Sequence, residues 1–215
     1  MNYEKRLVRK LLQENEEFEK YLNEQKEYAD WIISMDDWLW FILLQSYGTL
    51  GNSKGGSIAH ESAMKYSNLA SLSKTQRKKT IGKLVKENGL RYPNKKAQWI
   101  NDSFELIAGL GGARAATRLA GCLSNKSEKL EFMKQFKGFG DKYARNAWMD
   151  LCDSDFANTI AVDSNLNKIL DKLGLLVATY LVQEKKLVSI AKSAGITGWE
   201  LDRLLYKFTN QFLEI

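Results

Sequence analysis

The stretch Phe136-Lys137-Gly138-Phe139-Gly140-Asp141-Lys142 carries the strongest structural signal in this 215-residue chain. Two glycines separated by one residue permit a tight turn that brings backbone N–H groups against a phosphate. Apolar residues at helical spacing lie on both sides, so the sequence predicts two helices joined by this turn. The N-terminus of the second helix would present partial positive charge to the same phosphate. The stretch therefore indicates a binding site for a nucleic-acid backbone. The alternative is an ordinary helical hairpin whose glycines only allow the turn.

The whole composition favours helices. The chain has one proline, 44% hydrophobic and 27% charged residues, and no apolar segment with period 2 that is long enough for a strand. Its apolar runs are too short to span a bilayer, so we expect a cytoplasmic protein. Binding to DNA through the glycine turn would associate it with the nucleoid. Helices are predicted over residues 3–28, 36–47, 58–70, 74–87, 94–109, 113–122, 127–136, 141–151, 180–194 and 197–213, with a glycine-rich loop over 48–56. These patterns predict an all-α fold.

Positive charge is concentrated in one part of the chain. The net charge is +6, and between residues 74 and 96 nine basic residues face a single acid, Glu87. Such a run permits binding to a polyanion, although it is also what a solvated helix face looks like. The two cysteines, Cys122 and Cys152, are too few and too far apart for a disulfide framework or a thiolate metal site.

Lys142 is the candidate nucleophile. In the first turn of the second helix, the positive end of the helix dipole disfavours a further cation and so favours the neutral amine. A neutral amine at this point could attack the C1′ carbon of a sugar. The alternative is a lysine that neutralises a phosphate or lies in solvent.

Asp163 is the candidate carboxylate, twenty-one residues after Lys142. It precedes apolar residues at helical spacing, among them Leu166 and Ile169, and could cap the helix that they predict. A carboxylate at a helix N-terminus stays ionised, which suits the stabilisation of an oxocarbenium-like transition state. It could also help to deprotonate the attacking lysine, and the alternative is a helix cap without a chemical role.

These residues resemble a known family. The run from Phe136 to Ala144, followed by Thr159-Ile160-Ala161-Val162-Asp163-Ser164, is similar to the helix-hairpin-helix DNA glycosylase superfamily, and in particular to its short archaeal-type 8-oxoguanine glycosylase/lyases. The segments Arg91–Ala97 and Trp199–Tyr206 extend the likeness over most of the chain. The resemblance implies that Lys142 is the Schiff-base nucleophile and that Asp163 is essential to catalysis. Lys137 stands where the family commonly has proline, and Asn165 where it often has histidine.

The resemblance also implies the domain organisation. A helical subdomain over residues 30–152 would carry the helix-hairpin-helix motif at about 127–151. Residues 1–29 and 153–215 would form a second helical subdomain with Asp163, leaving a DNA-binding cleft between the two. No iron–sulfur cluster is expected, because the chain lacks the cysteines that such a cluster needs after Gly195. No cofactor is required, but the hairpin would hold an alkali-metal ion through the backbone carbonyls of Lys134, Phe136 and Phe139.

DNA contacts follow from the same likeness. A base inside a duplex must be flipped out before it is cut, and a side chain must fill the gap. The segment Leu43–Thr49 resembles the family's gap-filling loop, with Tyr47 as the residue that stacks on the orphan base and helix-end packing as the alternative. The expected DNA-binding residues are Gly138, Phe139, Gly140, Tyr47, Gln45, Arg145, Lys95 and Lys96. Five tryptophans lie in apolar helical patterns and are expected in the core, with stacking on a flipped base as the alternative: Trp31, Trp38, Trp40, Trp99 and Trp148.

The resulting expectation is a monomeric, bifunctional DNA glycosylase/AP lyase of base excision repair that acts on double-stranded DNA. Its first substrate would be 8-oxoguanine. The alternatives are an endonuclease III-like glycosylase for oxidised pyrimidines, a monofunctional glycosylase that uses water with Asp163 as base, and a non-catalytic helix-hairpin-helix DNA-binding module.

Overall fold

The structure is a computed structural model, and it describes residues 3–13, 15–51, 55–162 and 166–215. Within these ranges the chain forms α-helices and short 3-10 segments and no strand, so the predicted all-α class is confirmed. The α-helices are α1 Tyr3–Leu12, α2 Glu16–Ile33, α3 Trp38–Thr49, α4 Tyr66–Ala70, α5 Lys74–Glu87, α6 Pro93–Gly109, α7 Ala113–Gly121, α8 Lys126–Lys134, α9 Asp141–Asp150, α10 Asn167–Lys172, α11 Tyr180–Ser193, α12 Gly198–Lys207 and α13 Thr209–Leu213. No helix of the described ranges is long and apolar enough to cross a membrane.

Three predicted helices are divided in the structure. The helix predicted over 3–28 is broken before α2, where the Asn15 side chain accepts hydrogen bonds from the N–H groups of Glu17 and Phe18 and caps the new helix. The helix predicted over 58–70 is two 3-10 segments, Gly55–His60 and Ser62–Met64, followed by α4. The helix predicted over 197–213 breaks at Phe208 into α12 and α13.

The chain divides into two compact units. One contains residues 30–147, and the other contains residues 1–29 and 148–215. The sequence placed the second boundary after residue 152, whereas the structure places it between Ala147 and Trp148, inside α9.

The unit of residues 30–147 is built around α3. This helix is apolar on all sides and almost wholly buried, which is the pattern of a helix enclosed by others. The Trp40 indole N–H donates to the Met64 carbonyl at 2.7 Å, and the Tyr66 ring stacks on Phe104 with centroids 4.6 Å apart. Tyr47, near the C-terminal end of α3, has no exposed surface.

The other unit joins the two ends of the chain. The Tyr3 hydroxyl donates to the Phe212 carbonyl at 2.7 Å, and the Phe18 ring packs on Phe208 with centroids 4.7 Å apart. The Trp199 indole N–H donates to the carbonyl of Met149, in the last turn of α9, at 2.7 Å. Both of these residues belong to this unit.

The tryptophan prediction is confirmed in part. Trp38, Trp40 and Trp148 are buried, and Trp99 is half-buried. Trp31 is 45% exposed, so its assignment to the core was wrong. It lies near the end of α2 and stacks on His60 with ring centroids 5.9 Å apart.

Candidate nucleic-acid interface at the helical hairpin

The glycine turn joins α8 to α9 as the sequence predicts. The Phe139 N–H donates to the Phe136 carbonyl at 3.1 Å and closes the turn. Gly138 has φ +92°, in the region that side chains rarely adopt. A Cβ atom added there would lie 2.8 Å from the Trp99 ring of α6. Gly138 is therefore required both for the turn and for its close approach to α6.

Two amides of the turn remain open. Within the described ranges the N–H groups of Gly138 and Gly140 donate no hydrogen bond, and both residues are exposed. The first intrahelical bond of α9 runs from the Ala144 N–H to the Gly140 carbonyl at 3.0 Å, so the helix begins directly after this turn. Open amides at a glycine turn ahead of a helix N-terminus are suited to bind an anion.

Phe139 does not belong to that site. Its N–H is used inside the turn, and its side chain is buried. The prediction that Phe139 contacts DNA is therefore wrong, because neither its amide nor its ring is presented to a ligand. The ring packs edge-on against Tyr47 with centroids 5.4 Å apart and so holds the turn to α3.

Tyr47 is a support of the hairpin. Its hydroxyl donates to the Lys137 carbonyl at 2.8 Å and makes a second hydrogen bond with the Ser103 hydroxyl at 2.7 Å. Burial raises the pKa of this phenol well above its ordinary value, so it stays protonated and able to donate. A ring with no exposed surface cannot stack on a base, which corrects the interpretation of Tyr47 as the gap-filling residue. The helix-end packing role was the correct one.

Asp141 does not repel the proposed phosphate as an isolated acid would. Lys134 Nζ lies 2.7 Å from Asp141 Oδ1 and 2.9 Å from Glu131 Oε1. The hydrogen bond and charge of Lys134 lower the pKa of Asp141, which keeps the pair ionised. This ion pair links the end of α8 to the start of α9. An exposed pair of this kind contributes little to stability.

Lys142 lies in the first turn of α9, as predicted, and is half-buried. Its Nζ lies 5.7 Å from the centroid of the Tyr143 ring. Arg145, three residues further along α9, is also half-buried, and its charge contributes to the lowered pKa of Asp141. Both cations therefore lie on the helix that follows the glycine turn.

The two other lysines predicted to bind DNA, Lys95 and Lys96, differ in their exposure. Lys95 is exposed, with its Nζ 4.9 Å from the centroid of the Trp99 ring, and stays a candidate for DNA contact. Lys96 has no exposed surface, and its Nζ donates to the Leu50 carbonyl at 2.7 Å. The prediction that Lys96 binds DNA is wrong, because a buried amine cannot reach a phosphate. Burial lowers its pKa to about 8.

The basic run of residues 74–96 contains a second buried cation. Arg77 Nη2 lies 2.6 Å from Glu105 Oε1, and the guanidinium carbon of Arg77 lies 4.0 Å from the centroid of the Phe104 ring. The surface charge of α5 comes from its exposed lysines, Lys74, Lys78, Lys79, Lys83 and Lys86. Gln45, another predicted DNA contact, is half-buried on α3.

Sequence reasoning missed Tyr92. This residue precedes α6 with φ 58° and ψ 53°, and its side chain is 55% exposed. A left-handed conformation is uncommon for a residue with a side chain, and Pro93 restricts the preceding residue further. Strained positions of this kind concentrate at functional sites. The sequence signal was only Tyr-Pro at a helix start, which does not indicate a left-handed turn.

Asp163 lies outside the described residues, and so does its predicted capping role; the helix that follows begins at Asn167. The segment leading to it is fixed at three points. The Ala161 N–H donates to Asp202 Oδ1 at 2.9 Å, the Ile160 N–H donates to Glu184 Oε1 at 3.3 Å, and the Tyr180 hydroxyl donates to the Ile160 carbonyl at 3.0 Å. Sequence reasoning did not single out these three side chains, because polar residues on helices normally face solvent.

The turn offers oxygen donors for a cation. The carbonyls of Lys134, Phe136 and Phe139 lie at and just beyond the C-terminal end of α8, where the helix dipole is negative and carbonyls lack intrahelical partners. The Phe136 carbonyl accepts the turn hydrogen bond and retains a second lone pair. Backbone oxygens suit a hard cation, so this donor set fits an alkali-metal ion. Elsewhere, no group of three or more His, Cys, Asp or Glu side chains in the described ranges is placed to hold a metal.

Comparison with known proteins gives a structural answer. No protein-family model matches the chain, and no curated protein sequence matches it. The 8-oxoguanine DNA glycosylase of Methanocaldococcus jannaschii superposes with a TM-score of 0.70 at 18% identity, covering 95% of this chain and 93% of the other. The glycosylase/lyase of the same organism, in complex with a 15mer DNA containing 8-oxoguanine, gives 0.69 at 17% identity, with 96% of each chain covered.

A third solved structure has the same fold. The 8-oxoguanine DNA glycosylase of Thermotoga maritima superposes with a TM-score of 0.71 at 19% identity, covering 94% of this chain and 96% of the other. The likeness therefore extends over nearly the whole length of each chain. This chain has the all-helical fold of the archaeal and thermophilic 8-oxoguanine DNA glycosylases.

Proposed function

We propose that this chain is a bifunctional DNA glycosylase/AP lyase that removes an oxidised base, 8-oxoguanine first, from double-stranded DNA. The observation that carries the proposal is the position of Lys142. Lys142 lies in the first turn of α9, the helix that begins directly after the glycine turn with the open amides of Gly138 and Gly140. A phosphate bound by those amides brings the adjoining nucleotide close to the lysine. The shared fold of three 8-oxoguanine glycosylase structures supports the same reading.

The chemistry follows from an amine at that position. The neutral Lys142 amine attacks C1′ as the glycosidic bond breaks and the base departs with the bonding electrons. Loss of a proton from nitrogen and opening of the sugar give an imine at C1′. Removal of a C2′ proton then expels the 3′ phosphate by β-elimination. Asp163 would supply the negative charge that stabilises the cationic sugar.

Borohydride tests the proposal directly, because it reduces the imine to a stable amine bond. Wild-type protein incubated with an abasic-site duplex and borohydride should yield a covalent protein–DNA complex. Its absence contradicts the lyase mechanism. Oligonucleotides that each carry one lesion then identify the base, with 8-oxoguanine expected to be released first. Faster release of oxidised pyrimidines would favour the endonuclease III-like alternative.

Replacing Asp163 with asparagine should slow base release by about 10²- to 10³-fold, the usual cost of removing one group that stabilises transition-state charge. DNA affinity should be unchanged, because an ionised carboxylate contributes nothing favourable to phosphate binding. Base release is measured under single-turnover conditions, and affinity by fluorescence anisotropy. Asp171→Asn, an exposed carboxylate of α10, is the matched control and should retain full activity. A wild-type protein that binds tightly and releases no base would instead favour the non-catalytic module.

We propose that the exposed Tyr92 ring stacks on a base of the bound DNA, so replacing Tyr92 with alanine should weaken binding to an abasic-site duplex by about 5- to 150-fold. Loss of one base–aromatic stack costs about 1–3 kcal/mol. The melting temperature should change little, since the ring is largely exposed. Tyr47→Phe is the contrasting variant. It removes two buried hydrogen bonds and should lower the melting temperature. Unchanged affinity in Tyr92→Ala would rule out a stacking role.

The alkali-metal ion is a proposal of the same kind. The carbonyls of Lys134, Phe136 and Phe139 would hold it, and its charge would reinforce the turn's attraction for a phosphate. No other cofactor is needed for the reaction. We propose double-stranded DNA as the partner and a monomer as the active form, since kinking one duplex requires no two-fold symmetry.

A further inference from the structure

Lys96 occupies an unusual place for a lysine. Its side chain has no exposed surface, and its single hydrogen bond among the described residues runs from Nζ to the Leu50 carbonyl, at 2.7 Å. Lysine is almost never fully buried, because removing its charge from water is costly. The same burial lowers its pKa to about 8. An apolar side chain of the same length would fill the space at lower cost, so the amine itself must serve a purpose.

The carbonyl that Lys96 binds lies at the junction of α3 and α6, which comprises Leu50, Gly51, Arg91, Tyr92 and Lys96. Leu50 is the residue that ends α3, and its own N–H donates back to the Ser46 carbonyl. The next carbonyl, that of Gly51, accepts a hydrogen bond from Arg91 Nη1 at 3.2 Å. Two cations from one end of α6 therefore bind two consecutive carbonyls beyond the end of α3.

Tyr92 lies between those two anchors in sequence. A Cβ atom on Gly51 would be 3.5 Å from the Tyr92 ring, so the ring rests against the junction. The Arg91 guanidinium lies 5.3 Å from the same ring's centroid. The left-handed backbone of Tyr92 costs about 1–3 kcal/mol and persists only where surrounding contacts enforce it. The Lys96 N–H donates to the Tyr92 carbonyl at 3.0 Å, and the buried amine of the same residue donates to the Leu50 carbonyl, so Lys96 joins the Tyr92 backbone to the end of α3.

We propose that Lys96 is a positioning residue: its amine ties the end of α3 to the first turn of α6 and thereby fixes the turn that presents the Tyr92 ring to DNA. The inference rests on the proposed function, because it assigns Tyr92 a stacking role at the lesion. Lys96 touches neither the substrate nor the reacting atoms. Replacing Lys96 should therefore affect only duplex substrates, in which base stacking has to be opened.

The test compares two abasic substrates. Lys96→Met keeps the length of the side chain and removes the donor. With borohydride, this variant should trap an abasic-site duplex about 5- to 150-fold less efficiently than wild type, the range expected for losing one stack. It should trap single-stranded abasic DNA as well as wild type does, because no opposite strand has to be parted. Lys20→Met, at an exposed lysine of α2, is the control and should not change the ratio of duplex to single-stranded trapping.

A second readout needs no lyase chemistry. A 2-aminopurine placed opposite the abasic site should be quenched by wild type as an aromatic ring stacks on it, and less by Lys96→Met and by Tyr92→Ala. The double variant should be no worse than Tyr92→Ala alone, since both changes act through one ring. Arg91→Met removes the hydrogen bond to the Gly51 carbonyl and should also reduce quenching. This variant tests the role of the junction if Lys96→Met folds poorly.

Several results would overturn the role of Lys96. The first is a Lys96→Met variant that quenches 2-aminopurine and traps DNA as well as wild type does. The second is an equal loss of trapping on duplex and single-stranded DNA. The third is a loss of quenching in the double variant that equals the sum of the two single losses. Failure of the proposed function gives a different result. The wild-type protein itself would then trap neither substrate, while the 2-aminopurine signal would still report on Lys96.

Discussion

Lys142→Gln should abolish the borohydride-trapped complex and reduce strand cleavage at an abasic site by at least about a thousandfold, the scale on which removal of a nucleophile acts. Glutamine preserves most of the side-chain length and cannot form an imine. Because the first turn of α9 and the open amides of Gly138 and Gly140 are unchanged, binding to an abasic duplex should fall only modestly. Trapping is read on a denaturing gel, and affinity by anisotropy.

The hairpin supplies a matched control in Lys137→Gln. Lys137 is an exposed lysine five residues earlier, and only its backbone carbonyl is used in the fold, as the acceptor for Tyr47. Its loss removes the same charge from the same surface and should leave trapping intact. Equal losses in the two variants would mean that Lys142 acts through charge alone. Continued base release by Lys142→Gln, without strand cleavage, would favour the monofunctional alternative in which water attacks.

Gly138→Ala should destabilise the protein by about 2–5 kcal/mol. A left-handed conformation costs an alanine about 1–2 kcal/mol, and an added methyl in a packed site costs about 1–3 kcal/mol more. Both costs apply because φ is +92° and the new Cβ would lie 2.8 Å from the half-buried Trp99 ring. DNA affinity should fall by about tenfold or more, since relief of the clash moves the turn whose amides bind the phosphate. Urea denaturation measures the first effect, and anisotropy measures the second.

Gly140→Ala is the control for this prediction. No atom outside its immediate chain neighbours lies within 4 Å of a Cβ added there, and its φ is not in the left-handed region. Its cost in stability should be below about 1 kcal/mol, the difference between glycine and alanine at a helix start. If the two alanine variants proved equally stable, the close packing of Gly138 on Trp99 would not be the constraint that we describe.

Local patterns in the sequence determined the elements of the hairpin. The glycine spacing and the flanking helical periods placed the second helix at 141–151, and the structure has it at Asp141–Asp150. The position of Lys142 in its first turn follows from these features alone, because turns and helix starts depend on residues close in sequence. The helix over 74–87 was likewise predicted with the bounds that the structure gives.

The assignment of individual contacts depended on residues far apart in sequence. Tyr47 and Lys96 were both predicted to touch DNA, one as an aromatic residue near a loop and the other as a member of a basic run. The structure buries both, because Ser103 and the Lys137 carbonyl satisfy the phenol and the Leu50 carbonyl satisfies the amine. Composition favours the surface for polar groups, and only a partner brought in by folding reverses that preference.

Tyr92 is the opposite case, an exposed residue for which the sequence did not predict a role. Its sequence context, an aromatic residue before a proline, predicts an extended backbone and no particular function. The structure gives Tyr92 a left-handed backbone and places its ring against Gly51, some forty residues earlier in the chain, a contact that the local sequence does not specify.

The sequence by itself determined an all-helical chain, a glycine turn and a lysine at the start of the following helix, because these follow from short-range backbone preferences. Only the tertiary structure decided which aromatic ring and which lysine face solvent. Burial is set by the partners that packing supplies, and those partners are distant in sequence.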